Sequence, residues 1–196
     1  MKKKKVNPRR IPLAKRAIDN NAIIEEAMKD DMSHAWLLVA SSLVEQEHIS
    51  ADELSELSDA VNAYISNKTF KSGSDNSELT KAEKLMGRSN PYNNLDPSRI
   101  HSPVELEAFK QKVVKVAIHT ALSVICLGLD STGRFSEEDF HRIFLGVDLT
   151  LAEIESGVNS YEEIEQALIS QMVKIDVDEN DKCTVEKICN DENSRT

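Results

Sequence analysis

Four short stretches of this chain are written as helix beginnings, and they constrain its fold more than any other feature. Ser50-Ala51-Asp52-Glu53, Ser136-Glu137-Glu138-Asp139 and Ser160-Tyr161-Glu162-Glu163 each place a serine three residues ahead of an acid. The serine oxygen can accept from the amide of the third helical residue while the acid reaches back to the serine amide, satisfying donors that a first helical turn leaves unpaired. Ser102-Pro103-Val104-Glu105 adds a proline at the first helical position, where its missing N–H is no loss and its φ suits the turn. Apolar residues recur at helical spacing behind these starts. Leu54, Leu57, Val61, Tyr64 and Ile65 follow the first, and Leu106, Phe109, Val113, Val116, Ala117, Val124 and Leu127 follow the proline. Phe140, Ile143, Phe144, Val147, Leu151 and Ile154 follow Ser136. Six glycines and five prolines in 196 residues are too few for the tight turns of an all-β fold.

The expected class is therefore all-α, with five to six helices arranged as two linked helical hairpins. Residues 1–11 read as a basic disordered arm, and 12–66 as the first hairpin, whose opening helix starts at Pro12 and runs to about His48. Asn20-Asn21 could interrupt that helix. Residues 67–101, rich in Ser, Asn, Asp and Lys, read as a linker with one short helix that starts at Thr80-Lys81-Ala82-Glu83 and ends at Gly87. Residues 102–175 form the second hairpin plus a third helix running to about Met172, and 176–196 an acidic tail whose last residues read as disordered. The alternation in Val173-Lys174-Ile175-Asp176-Val177, followed by Asp178-Glu179-Asn180-Asp181 and Cys183-Thr184-Val185, predicts a small C-terminal β-hairpin.

The two halves can be aligned with each other. A shift of 85 brings His34 onto His119, Leu37 onto Leu122 and Val39 onto Val124. After one inserted residue, Ser50 meets Ser136, Glu53 meets Asp139 and Val61 meets Val147. A true duplication would pack the two αα-hairpins about a pseudo-twofold axis. Any two helical hairpins share much of this pattern.

Charge is unevenly placed. Lys2, Lys3, Lys4, Lys5, Arg9, Arg10, Lys15 and Arg16 put eight basic groups in the first sixteen residues with no acid among them. The other 180 residues set 16 basic groups against all 34 acids, a formal charge of −18. Such a distribution speaks to partners rather than to fold. The basic start leads into Asn7-Pro8-Arg9-Arg10 and not into an apolar stretch, so no signal peptide is expected. Val113 to Leu129 is interrupted by Lys115, His119, Thr120 and Ser123 and reads as a buried helix, not a membrane span. Three cysteines with no C-x-x-C spacing read as reduced thiols of a cytosolic protein.

The run Lys4-Lys5-Val6-Asn7-Pro8-Arg9-Arg10-Ile11-Pro12, a long helix behind it, and then Glu56-Leu57-Ser58-Asp59-Ala60-Val61-Asn62 resemble small uncharacterised proteins of Gram-positive bacteriophages and mobile elements that open with a K-K-x-N-P-R-R-x-P arm. The resemblance covers about the first third of the chain. It implies a context, an accessory protein acting in the cytoplasm of a bacterial host cell, and carries over no functional residue.

Each candidate site has a bland counterpart. The arm can bind nucleic acid through phosphate neutralisation, but it has no aromatic residue for stacking and is attached to a body that repels phosphate. It can equally dock on protein or stay solvated. The acidic body can meet a basic partner or imitate nucleic acid, with Glu153, Glu155, Glu162, Glu163 and Glu165 as the partner-binding candidates; acidic helical faces are also simply soluble. Gly128 to Asp139 looks like a calcium loop but lacks Asp at position 1 and Glu at position 12, so a helix–turn–helix connection explains it better. Asp176-x-Asp178-x-Asn180 fails for similar reasons at Asp181 and Lys187. His34 and His119 have no second ligand at helical spacing and read as hydrogen-bonded interface histidines, and Cys126 as a small buried hydrophobe.

No catalytic motif, metal site or cofactor is expected. The reading is a non-catalytic accessory protein that binds a host macromolecule, a defence factor among the candidates, and modulates or inhibits it. The host protein would carry a basic surface, and no membrane partner is expected. Nucleic-acid binding by the arm, sequestration of a small nucleotide between helices and an enzyme without a motif stay open as alternatives. So does the oligomeric state.

Overall fold

A computed structural model describes residues 31–67, 76–89 and 102–188. The basic arm with Lys2, Lys3, Lys4, Lys5, Arg9, Arg10, Lys15 and Arg16, the Asn20-Asn21 pair, Cys189 and the last residues lie outside the described residues. Within them are six helices and one two-stranded antiparallel sheet. The helices are α1 (Asp31–Gln46), α2 (Ala51–Asn67), α3 (Asn76–Met86), α4 (Pro103–Asp130), α5 (Glu137–Ser156) and α6 (Tyr161–Ser170). The strands are β1 (Val173–Val177) and β2 (Cys183–Lys187), paired with Ile175 opposite Val185. The chain is all-α with a small C-terminal hairpin.

The start signals act as local chemistry requires. Ser50 N–H donates to Glu53 Oε2 at 3.0 Å and Glu53 N–H donates to Ser50 Oγ at 3.4 Å, ahead of α2. Ser136 and Asp139 form the same reciprocal box ahead of α5. Ser102 Oγ accepts from Glu105 N–H at 3.2 Å, with Pro103 as the first helical residue of α4. Stops are equally local. Gly87 and Gly157 take left-handed φ values of +67° and +71°, and the residue after each donates back to a carbonyl of the last turn, Arg88 to Glu83 and Val158 to Glu153. The Thr80 box does not start a helix: α3 begins at Asn76 and passes through it. A box sequence supplies a cap only where the chain enters from outside the helix, and here Thr80 already lies in its second turn.

Packing organises these helices differently from their order in the chain. The neighbours of α1 are α4, α5, α6 and β1; those of α2 are α4 and β2. Each half thus lays its helices chiefly against the other half. Trp36, Leu38, Val39, Ala40 and Leu43 of α1 have no exposed surface at all, which makes α1 the central strut. Two glycines permit close crossings. A Cβ on Gly128 of α4 would lie 2.8 Å from Val61 Cγ2 and 2.9 Å from Val61 Cα of α2, and a Cβ on Gly146 of α5 would collide with Ser42 Oγ of α1. Under the alignment of the halves, Ser42 corresponds to Leu127 and Val61 to Val147, so the two crossings fall one residue apart at matching places. The Ser42 hydroxyl, buried at the crossing, donates to Ile143 O at 2.7 Å.

Residues read from the sequence as linker and tail are also structural. Ala82 and Met86 of α3 belong to the core, and Lys81, Lys84 and Arg88 tie that helix to Asp130, Glu137 and Asp148. The boundary expected at 176 falls inside β1, and Cys183 and Val185 of β2 are core residues. By length and composition α4 could cross a membrane, but 72% of its most apolar window is buried within the protein.

Candidate functional site

A cleft of 230 Å³ opens where the C-terminal half of α1, the C-terminal half of α5 and the middle of α6 meet. Its first wall is Ser41, Ser42, Glu45 and Gln46 of α1. The second is Gly146, Leu149, Thr150 and Glu153 of α5, and the third Glu163, Ile164 and Ala167 of α6, with Asn159 from the intervening turn. Gly146 and Ser42, the small residues that meet at the α1–α5 crossing, are both part of its lining. Three glutamates, Glu45, Glu153 and Glu163, come to its lining from three different helices, and among the described residues no Lys, Arg or His lines it.

Local structure gives the cap of α6 a different second partner. At the start of α6, Ser160 Oγ accepts from Glu163 N–H at 3.2 Å, the first half of a capping box. The second half is taken by Asn159, whose Oδ1 accepts from Ser160 N–H at 2.9 Å. Ser160 N–H is thus taken by Asn159 and not by the Glu163 carboxylate, and Glu163 is one of the residues that line the cleft. Three polar neighbours already donate to a glutamate of the lining or to the backbone. Ser41 Oγ donates to Glu45 Oε1 at 3.1 Å, Asn159 Nδ2 to Glu153 Oε2 at 3.2 Å and Thr150 Oγ1 to Gly146 O at 3.1 Å. Beside the opening, Leu145 and Leu149 of α5 are each 60% exposed and one helical turn apart.

Of the five acids expected to meet a partner, the structure brings two together, Glu153 and Glu163. Glu155 is held instead by Lys115 of α4 at 2.7 Å. Glu162 and Glu165 lie on α6 and do not line the cleft. Glu45, which completes the site, went unnoticed in the sequence: it sits 108 positions before Glu153, and no local pattern links them.

Other candidates have structural duties. His34 stacks on Tyr161, ring centroids 3.8 Å apart and planes 14° from parallel. Burial lifts the Tyr161 hydroxyl to about 12, helped by the charges of Asp31 and Glu155. His119 is buried in α4, and burial, then the nearby Arg88, pushes its pKa below the ordinary value. Burial also raises the Cys126 and Cys183 thiols to about 12, which leaves almost no thiolate near neutrality. In the stretch that looks like a calcium loop, Asp130 is paired with Lys81, and Asp139 is engaged by Ser136 and Arg142. Asp178 shapes the hairpin turn, its Oδ1 accepting from Asn180 and Lys182 N–H at 2.8 and 3.0 Å. Among the described residues no group of three His, Cys, Asp or Glu side chains is placed to hold a metal ion.

Compared with protein-family models, curated proteins and solved structures, the chain matches none of them.

Proposed function

We propose that the protein is a non-catalytic interaction protein that binds a host protein with a basic surface and modulates or inhibits it, acting in the cytoplasm of a bacterial host as a phage or mobile-element accessory factor. The docking surface is the cleft between α1, α5 and α6 with the adjoining Leu145 and Leu149. One observation carries this reading: Glu45, Glu153 and Glu163 line a shared cleft that has, among the described residues, no cation in its lining, next to two exposed leucines. Elsewhere, Glu47 and Glu53 near the α1–α2 turn are matched by Arg142 and Arg134, and Asp148 within α5 by Arg88. Unmatched charge beside apolar surface supports recognition, since the apolar contact supplies affinity and the charge speeds and orients encounter.

The test is capture of a host protein by the parent and by a Glu45→Lys/Glu153→Lys/Glu163→Lys variant. A basic protein should be retained by the parent alone, and its association rate should fall as ionic strength rises. Equal retention by both would remove the cleft from the reading. The charge of Lys2, Lys3, Lys4, Lys5, Arg9, Arg10, Lys15 and Arg16 favours a second reading, nucleic-acid binding by the arm. A gel shift at two salt concentrations, lost when those residues are neutralised, would decide for it.

A further inference from the structure

We infer that the outer edge of β1 pairs with the same edge of a second copy of this chain, antiparallel and centred on Ile175, so that the two hairpins join into one four-stranded sheet.

The ladder leaves that edge open. Ile188 N–H donates to Met172 O at 2.9 Å at one end of the hairpin, and Asp178 N–H to Lys182 O at 3.0 Å at the other. Bonded and non-bonded pairs alternate along an antiparallel ladder. Between those ends, therefore, Lys174 and Asp176 turn their backbone groups to β2, and Val173, Ile175 and Val177 turn theirs outward. Among the described residues these three N–H and three C=O groups make no hydrogen bond. Unpaired backbone groups must be reached by water, and a row of them is a template for another strand. The opposite edge is occupied: β2 packs against α2, whose Asn62 takes both outward groups of Cys183.

Side chains choose the occupant. Val173 and Ile175 are buried on the inner face of the hairpin, while Lys174 and Asp176 stand on the outer face, 42% and 56% exposed. Two copies of β1 placed antiparallel about Ile175 set that residue opposite its counterpart, Val173 opposite Val177, and Lys174 opposite Asp176 on both sides of the axis. Every outward group of each strand then finds a partner. Each Lys174 also faces a carboxylate of the other copy, and opposite charges directly across strands stabilise a sheet. Moving the centre by one residue would set Lys174 on Lys174 or Asp176 on Asp176, like charges directly opposite, and leave outward groups unpaired. The five residues of β1 are thus complementary to themselves in this register, as a twofold interface requires.

The experiment measures the mass of the full-length protein by sedimentation equilibrium over a wide range of concentration, for the parent and for two charge reversals. The parent should rise from 21.9 kDa toward twice that value. Lys174→Asp and Asp176→Lys should each stay at the monomer mass, because each sets like charges across the axis. An equimolar mixture of the two should dimerise again, since the mixed pair restores opposite charges on both sides. Thermal melts like that of the parent show that the variants are folded. Hydrogen exchange locates the contact and needs no variant. The amides of Val173, Ile175 and Val177 should slow at least about ten-fold from dilute to concentrated protein, while those of Lys174 and Asp176, already turned to β2, should not change. A parent that stays monomeric, a dimer that neither reversal weakens, or folded reversals whose mixture stays monomeric overturns the inference. So does protection of the three amides that is independent of concentration, which would mean that another segment of the chain lies on the edge. The docking reading is judged separately, because β1 and the cleft share no residue.

Discussion

The side-chain amide of Asn62, on α2, exchanges two hydrogen bonds with the backbone of Cys183, on β2: Asn62 Nδ2 donates to Cys183 O at 2.7 Å, and Cys183 N–H donates to Asn62 Oδ1 at 2.9 Å. Cys183 stands opposite Val177 in the ladder, and its N–H and C=O point away from β1. A single amide thus acts as the missing neighbouring strand and fastens the hairpin to the helices. Replacing Asn62 with Ala should cost about 1–3 kcal/mol, because both Cys183 groups lose their partner in a part-buried setting. Urea unfolding measures the cost, and hydrogen exchange at the Cys183 amide locates it. Unchanged exchange there would count against this role.

The two glycine crossings should respond unequally to a methyl group. Gly128→Ala meets the Val61 backbone, which moves only if α2 moves, whereas Gly146→Ala meets the Ser42 hydroxyl, which can turn aside at the cost of its bond to Ile143 O. Both should destabilise, within about 1–3 kcal/mol, with Gly128→Ala the worse. Ser42→Ala should recover part of the Gly146→Ala loss and none of the Gly128→Ala loss, as read by a double-mutant cycle.

Core deletions on α5 test the central packing. Ile143 and Phe144 have no exposed surface and face the strut α1 and its neighbours. Ile143→Ala and Phe144→Ala should each cost about 2–5 kcal/mol in chemical denaturation. Melting temperatures within a degree of the parent for both would contradict this packing.

The cap of α2 should give stability a sign-defined dependence on acid. Hydrogen bonds from the Ser50 backbone and side chain, then from Arg134, hold Glu53 at about 2, well under its ordinary 4.5. A depressed carboxyl contributes fully above its unfolded value and loses that contribution as pH falls through the folded one. The advantage of the parent over Glu53→Gln should therefore be constant above pH 4.5 and shrink between 4.5 and 2. Denaturation midpoints of the two proteins at several pH values check it, and a gap that widens on acidification would be the wrong sign.

Both described thiols should be inert in the native state. In a Cys189→Ser protein at pH 8, a thiol reagent should modify Cys126 and Cys183 only as the chain unfolds, since both are buried with pKa values near 12. Rapid stoichiometric labelling of the folded protein would contradict that.

Legibility in the sequence followed the range of the forces involved. The boxes at Ser50, Ser102 and Ser136 could be read directly, because a cap is an interaction between residues three apart. The stops at Gly87 and Gly157 and the turn at Asp178 are likewise local. The Thr80 box misled for the same reason: its letters are right, but whether a chain enters or continues a helix there is settled by what the helix packs on, here α4 and α5. At Ser160 half of the box was legible. That Asn159 would supply the other half, in place of the Glu163 carboxylate, depended on the geometry of the turn between α5 and α6.

By itself, the sequence determined the helical class, the ends of most elements, the buried stripes and the acidic character of the α5–α6 corner, all consequences of spacing within one or two turns. Tertiary structure alone decided that the halves pack across each other, that Val61 lies on Gly128 and Ser42 on Gly146, and that Glu45 joins Glu153 and Glu163 in one cleft. An amphipathic helix states which face it must bury but not against what, because apolar burial has no direction. The choice of partner is made where surfaces fit closely, and two such places are Gly128 against Val61 and Gly146 against Ser42.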